Sequence, residues 1–201
     1  NLYPSDREGE GGDDSEGGGS EESESEEISG GGSGTKYGIS TSNGTVAITL
    51  ALKALEIGQN DEGIVPDLTF AATINAVIHA QATPVIVDIN DKSWTICPEM
   101  IEKAITKNTK AIIAVHIYGQ PCEMDKIVKI CKIHNIKLIE DCAHAIESKY
   151  KGKEVGNFGY SGCYSFYVNK NITTCEGGMV VTNNEKYYNR MKVFLTHGIT
   201  R

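Results

Sequence analysis

The sequence predicts an α/β domain, a mostly parallel sheet flanked by helices. Two observations predict it. Short apolar runs recur from residue 37 onward and alternate with segments of about ten residues whose apolar positions fall at helical spacing. The runs are apolar at successive positions rather than at every second one, as strands covered on both faces are.

The elements follow in order. Residues 37–41 read as a short strand and 42–45 (Ser-Asn-Gly-Thr) as a tight turn. Val46, Ile48, Leu50, Leu52 and Leu55 then mark a helix over 46–55. A strand over 63–66 leads through a turn to a helix over 70–81, and a strand over 83–88 to a helix over 98–106. A strand over 111–117 precedes a helix over 124–134, and a strand over 137–140 ends in Asp141. Tyr150-Lys151-Gly152-Lys153 reads as a hairpin-like turn. An apolar strand-like run over 163–168 holds Ser165 and Phe166, followed by a lysine segment, a strand over 179–182 and a helix over 185–196. Ligands of such sheets bind outside the carboxyl ends of the strands. That rule places residues 42–45, 67–70, 116–119 and 141–144 along one edge.

Charge divides the chain. Of its 27 acids and 19 bases, eleven acids and Arg7 alone fall in the first 35 residues, leaving 16 acids and 18 bases over the remainder. A nearly neutral remainder argues against a nucleic-acid surface. Residues 1–34, built of Gly, Ser, Glu and Asp, bury too little apolar surface to offset the entropy of ordering, and read as a disordered acidic segment. Residues 35–201 then form the folded domain. The six cysteines make no CxxC pair and no His/Cys cluster at zinc spacing, so no metal is expected, and reduced thiols in a cytoplasmic protein are. The N-terminal residues lack a basic-then-apolar signal pattern, and no apolar run approaches a membrane span.

The candidate site centres on residues 165–179, where Lys170 lies between an apolar run and the turn-rich Glu176-Gly177-Gly178. A partly desolvated lysine loses proton affinity, and its neutral amine attacks carbonyls. Alone it reads as a surface charge. At the same sheet edge, however, fall a turn opening a helix (Gly44, Thr45), an aromatic residue (Phe70) and a carboxylate (Asp141). Pyridoxal 5'-phosphate (PLP) needs all four: donors for its phosphate, a flat partner for its ring, a carboxylate that keeps its pyridine nitrogen protonated, and a lysine for its aldehyde.

The motifs Ser-Asn-Gly-Thr (42–45), Val-Pro-Asp-Leu-Thr-Phe-Ala-Ala-Thr (65–73), Pro-Val-Ile-Val-Asp-Ile (84–89), Val-His-Ile-Tyr-Gly-Gln-Pro-Cys-Glu-Met-Asp (115–125), Ile-Glu-Asp-Cys-Ala-His-Ala (139–145) and residues 165–179 carry a resemblance. Over residues 36–201 the chain resembles the DegT/DnrJ/StrS sugar aminotransferases, and within them GDP-perosamine synthase-like enzymes. The resemblance implies an aspartate-aminotransferase-like, PLP-dependent large domain that transfers an amino group, with glutamate as donor, to a keto-deoxysugar nucleotide in polysaccharide or deoxyaminosugar biosynthesis. It implies a homodimer with sites formed between subunits. By motif, it makes Lys170 the catalytic Schiff-base lysine and proton shuttle, and Asp141 the partner of the pyridinium nitrogen. His144 would contact the phenolic oxygen, Phe70 would stack on the ring, and Gly44, Thr45 and Ser165 would bind the phosphate.

The chain departs from the family pattern in three ways. The acidic segment replaces an initial helical one, Val168 replaces a small residue, and Cys175 stands where relatives carry glycine, a position that often serves a turn with positive φ. Relatives also continue for about as many residues again, so the C-terminal small domain is expected to be missing. Two other readings follow: a catalytically inactive remnant or interaction module, and a PLP-dependent sugar dehydratase, against which the presence of Lys170 argues.

Overall fold

A computed structural model describes residues 34–195. The acidic segment expected over 1–34 lies, apart from Gly34, outside these residues. Among the described residues, nine strands and five α-helices run β1 (Tyr37–Thr41), α1 (Gly44–Ala54), β2 (Glu62–Pro66), α2 (Ala71–His79), β3 (Thr83–Val87), α3 (Pro98–Ala104), β4 (Thr109–Val115), α4 (Met124–His134), β5 (Lys137–Asp141), β6 (Lys149–Tyr150), β7 (Lys153–Glu154), β8 (Ser161–Ser165), β9 (Gly178–Thr182) and α5 (Glu185–Leu195).

Seven strands form one sheet in the order β1-β9-β8-β5-β4-β2-β3, and β6 and β7 make a separate hairpin. Only β9 runs against its neighbours β1 and β8; every other neighbouring pair is parallel. Consequently β1, β2, β4, β5 and β8 end, and β9 begins, on one edge. The register sets Thr41, Gly178 and Ser165 side by side there, with Val115 level with Asp141 on the neighbouring pair.

The strand period of two decides which helix each residue meets. Ile113 and Ile139 pack with α1, α2 and α5 on one face, whereas Ile112, Ala114 and Leu138 pack with α3 and α4 on the other. Each fully buried isoleucine contributes about 1.5–3 kcal/mol through the apolar area it removes from water. Local chemistry sets the helix ends. The Asn43 side chain accepts the Val46 N–H at 2.9 Å and caps α1, Pro98 opens α3, and Asn135 closes α4 in the left-handed region at φ 53°.

The structure corrects several boundaries. The run over 163–168 is not one strand: β8 stops at Ser165, and residues 166–170 turn, with the Lys170 N–H donating to the Tyr167 carbonyl at 2.9 Å. β4 stops at Val115 because Tyr118, at φ 50°, breaks the extended path. The helix expected from residue 70 begins at Ala71 with Phe70 as its N-cap, and that expected over 98–106 ends at Ala104. β3, expected to be covered on both faces, is an edge strand with Ile86 55% exposed. Residue 196, expected to end the last helix, lies outside the described residues.

Below the sheet edge a buried carboxylate ties three segments together. Glu140 Oε1 accepts the N–H groups of Phe158 (2.6 Å) and Gly159 (2.8 Å), and Oε2 accepts those of Gly156 (2.7 Å) and His116 Nε2 (3.2 Å). His116 Nδ1 accepts the Cys122 N–H at 3.1 Å, so the imidazole proton sits on Nε2 and points at Glu140. Both side chains are fully buried. Cys142 lies close enough to complete a three-ligand set with them. Yet four donors already fill the carboxylate, and burial, first, then the Glu140 charge raise the Cys142 thiol well above its ordinary pKa. With the carboxylate and the imidazole already engaged and the thiol held protonated, the cluster is scaffolding. Glu140→Gln turns an amide N–H₂ toward backbone donors, and should lower the unfolding free energy measured in urea by about 3 kcal/mol.

Candidate active site

A cleft of about 620 Å³ opens at the carboxyl edge of the sheet, and all seven residues singled out from the sequence line it: Gly44, Thr45, Phe70, Asp141, His144, Ser165 and Lys170. They come from six separate loops or element ends, which only the sheet register brings together. A groove of about 560 Å³ between α4 and the start of β5, on the opposite edge, has no carboxylate among its described lining residues.

One side of the cleft suits an anion. Gly44 and Thr45 are the first two residues of α1, whose N–H groups have no acceptor within the helix. A Cβ on Gly44 would lie 2.8 Å from the Ser165 Cβ, so only glycine lets the helix start approach the end of β8 this closely. Gly44 N–H, Thr45 and the Ser165 hydroxyl thus share a space that any larger residue at 44 would fill.

Phe70 is 73% exposed at the cleft and is not a core residue. Asp141 is almost fully buried. Its Oδ1 accepts the Ala143 N–H at 3.1 Å and its Oδ2 the Thr73 hydroxyl at 2.8 Å. Two of about four acceptor positions on the carboxylate therefore remain. Lys170 is half-buried, and desolvation lowers its pKa while the Asp141 charge works in the opposite direction.

His144 is half-buried too. Its ring stacks on Tyr118 with centroids 5.6 Å apart and planes 10° apart, and its Nδ1 accepts the Tyr118 N–H at 3.4 Å. That contact leaves Nε2 to carry the proton in the neutral ring, a donor for an oxygen in the cleft. Burial, then the Lys170 charge, lower the His144 pKa, with Asp141 opposing them, which favours the neutral ring.

The donor set fits pyridoxal phosphate: an anion cradle without a side chain at 44, an exposed aromatic face, a held carboxylate with free lone pairs, and an amine of reduced basicity. The model of the DegT/DnrJ/EryC1/StrS aminotransferase family matches residues 17–201. The chain belongs to that family. It is 51% identical over 164 residues to GDP-perosamine synthase of Escherichia coli O157:H7, covering 82% of this chain and 45% of that protein. The crystal structure of an aminotransferase from Psychrobacter cryohalolentis superimposes with a TM-score of 0.81 at 44% identity, covering 83% of this chain and 42% of that one. A putative sugar aminotransferase from Streptococcus pneumoniae, solved in its PLP form, gives a TM-score of 0.79 at 32% identity, covering 84% and 48%. The chain spans slightly less than half the length of the curated relatives it matches.

Sequence reasoning missed Thr73, which holds Asp141, Tyr118, which stacks on His144, and Glu176, which lines the cleft. The Thr69/Thr73 spacing of four, across the start of the expected helix, was a readable signal. The Tyr118 contact was not, because it joins residues 26 apart through a left-handed turn.

The suspected strain at Cys175 is present: the residue is exposed with φ 68°, a conformation that costs an L-residue about 1 kcal/mol. Its N–H donates to Thr173 Oγ1 at 2.9 Å, a backbone contact that glycine preserves. Cys175→Gly should therefore raise the urea midpoint, with a gain of about 0.5 kcal/mol after the added freedom of the unfolded chain is subtracted. For His144, a folded pKa below the unfolded value means that the unfolded chain takes up the proton more readily. The cost of holding the ring neutral is absent above the unfolded pKa and grows as pH falls through the histidine range. The loss of stability between about pH 7.5 and about pH 5 should accordingly be smaller in His144→Gln than in the parent.

Proposed function

We propose that this protein is a PLP-dependent sugar aminotransferase that moves an amino group from glutamate to the keto carbon of a nucleotide-linked deoxysugar. One observation carries the reading. A half-buried lysine of lowered basicity and a buried, hydrogen-bonded aspartate line the same cleft as an anion cradle, in a chain of this family. The names of relatives support the substrate class: one is a GDP-perosamine synthase and another a UDP-N-acetyl-3-dehydro-alpha-D-glucosamine 3-aminotransferase.

The cofactor, when bound, supplies an electron sink for the charge that develops as the amino group moves. The chain's own residues supply the rest. The Gly44 and Thr45 N–H groups and the Ser165 hydroxyl hold the phosphate, and Phe70 covers the ring. Asp141 holds the proton on the ring nitrogen, and His144 donates from Nε2 to the phenolic oxygen. Lys170 Nζ, kept by desolvation closer to its neutral form, takes and returns the proton at the substrate carbon.

A homodimer with shared sites is part of the proposal, supported by the exposed Phe70, Tyr118, Val168 and Ile172 near the cleft. A cytoplasmic setting is supported by six cysteines that are all unpaired. Among the described residues no helix is long and apolar enough to cross a membrane.

The test is borohydride reduction of the protein after incubation with PLP, followed by peptide mass mapping. The cofactor mass should appear on Lys170, and Lys170→Ala should lose the label together with at least about a hundredfold in amino transfer from glutamate. A label on another lysine, or undiminished transfer by the variant, rejects the reading.

A further inference from the structure

A carboxylate on two rotatable bonds turns unless its oxygens are held. Asp141 is held from two directions. The Ala143 N–H on Oδ1 is local, two residues along the chain, whereas the Thr73 hydroxyl on Oδ2 arrives from α2, 68 residues away. The direction of the second bond follows from chemistry. An ionised carboxylate has no hydrogen to give, so Thr73 donates. Its oxygen is left as acceptor, and the Thr69 hydroxyl, 2.7 Å away, is then the donor to it. The three groups form a directed chain, Thr69 to Thr73 to Asp141.

This chain occupies an expensive position. Thr73 is fully buried among the apolar residues Ala76 and Val77 of its helix, where a hydroxyl without a partner costs about 1–3 kcal/mol and a methyl group would cost nothing. The same turn also fixes Phe70, whose carbonyl accepts the Thr73 N–H at 3.1 Å. Residues 69–73 therefore set the plane of the carboxylate and the place of the aromatic ring together.

Resting on the cofactor reading above, we propose that Thr73, backed by Thr69, is a positioning residue that aims Asp141 at the protonated ring nitrogen and keeps the proton of that pair on the nitrogen. A donor on a carboxylate favours its charged form. Without the Thr73 hydroxyl, the Asp141 carboxylate loses one of its two hydrogen-bond donors and is freer to rotate. Both changes weaken a pair that depends on a negative oxygen facing N–H. The effect acts through the ring nitrogen alone, which separates it from a general role in packing.

The experiment measures dissociation constants of PLP and of its 1-deaza analogue, in which a C–H replaces the ring nitrogen, for the full-length protein, Thr73→Val and Thr73→Ser. Valine keeps the buried shape and removes the donor; serine keeps the donor. Thr73→Val is expected to bind PLP about tenfold more weakly, as loss of a hydrogen bond to a charged group implies. The same variant is expected to bind the deaza analogue within about twofold of the parent, and Thr73→Ser to bind both ligands within about twofold. Equal weakening for both ligands in Thr73→Val overturns the positioning role in favour of packing, and unchanged PLP binding overturns it outright. A parent that holds both ligands equally well overturns the Asp141–nitrogen pairing on which the inference rests. A parent that binds neither overturns the cofactor reading itself.

Discussion

Four donors converge on the buried carboxylate of Glu140, and the geometry of the cleft depends on that convergence. The donors come from the residue after β4 and from the loop before β8, so one side chain fastens three neighbouring stretches of the sheet edge. Asp141 follows Glu140 on the same strand. Successive side chains point to opposite faces, so one carboxylate is sealed and saturated beneath the site while the next faces the cleft with lone pairs to spare. A buried anion this fully paired resists displacement, because moving any of the three segments exposes several unsatisfied groups at once. Rigidity at Glu140 thereby becomes precision at Asp141.

The cleft itself is an assembly of ends. Strand ends contribute Asp141 and Ser165, helix starts contribute Gly44, Thr45 and Phe70, and turns contribute His144 and Lys170. Backbone in the left-handed region gathers nearby, at Tyr118 and Cys175, where the chain must reverse sharply to bring a side chain back over the opening. At Gly44 and Gly178 the demand is proximity. A side chain at either would meet Ser165 or the Asn43 backbone, and the start of α1 could not settle against the ends of β8 and β9. An anion cradle lies there because the backbone can come close, not because a basic side chain is present.

Much of this was legible in the linear chain. β1 and α4 match their expected limits, and the other main elements lie within a few residues of theirs, because apolar periodicity is a local property that tertiary packing reinforced. The misread stretch was 163–168, where apolar composition suggested a longer strand. Val168 is 60% exposed, and the chain turns at Ser165 because β9 must return antiparallel beside β8. The seven site residues were legible through motif and order. Of their hidden supports, Thr73 showed only in its spacing from Thr69, and Tyr118 and Glu140 did not show at all, since one acts through a contact 26 residues away and the other is a carboxylate that reads as an ordinary charge.

The sequence by itself determined the alternation of strands and helices, the identity of the cleft residues and the family, because these rest on spacing and on short motifs that survive without a partner in space. Only the tertiary structure decided which of two adjacent carboxylates faces the cleft and which is buried in the frame. It also decided that Phe70 is exposed rather than core, and that the His144 proton sits on Nε2. The reason is the same in each case. Orientation, burial and proton position are fixed by neighbours distant in sequence, and a lone residue carries no record of them until the sheet brings those neighbours within hydrogen-bonding distance.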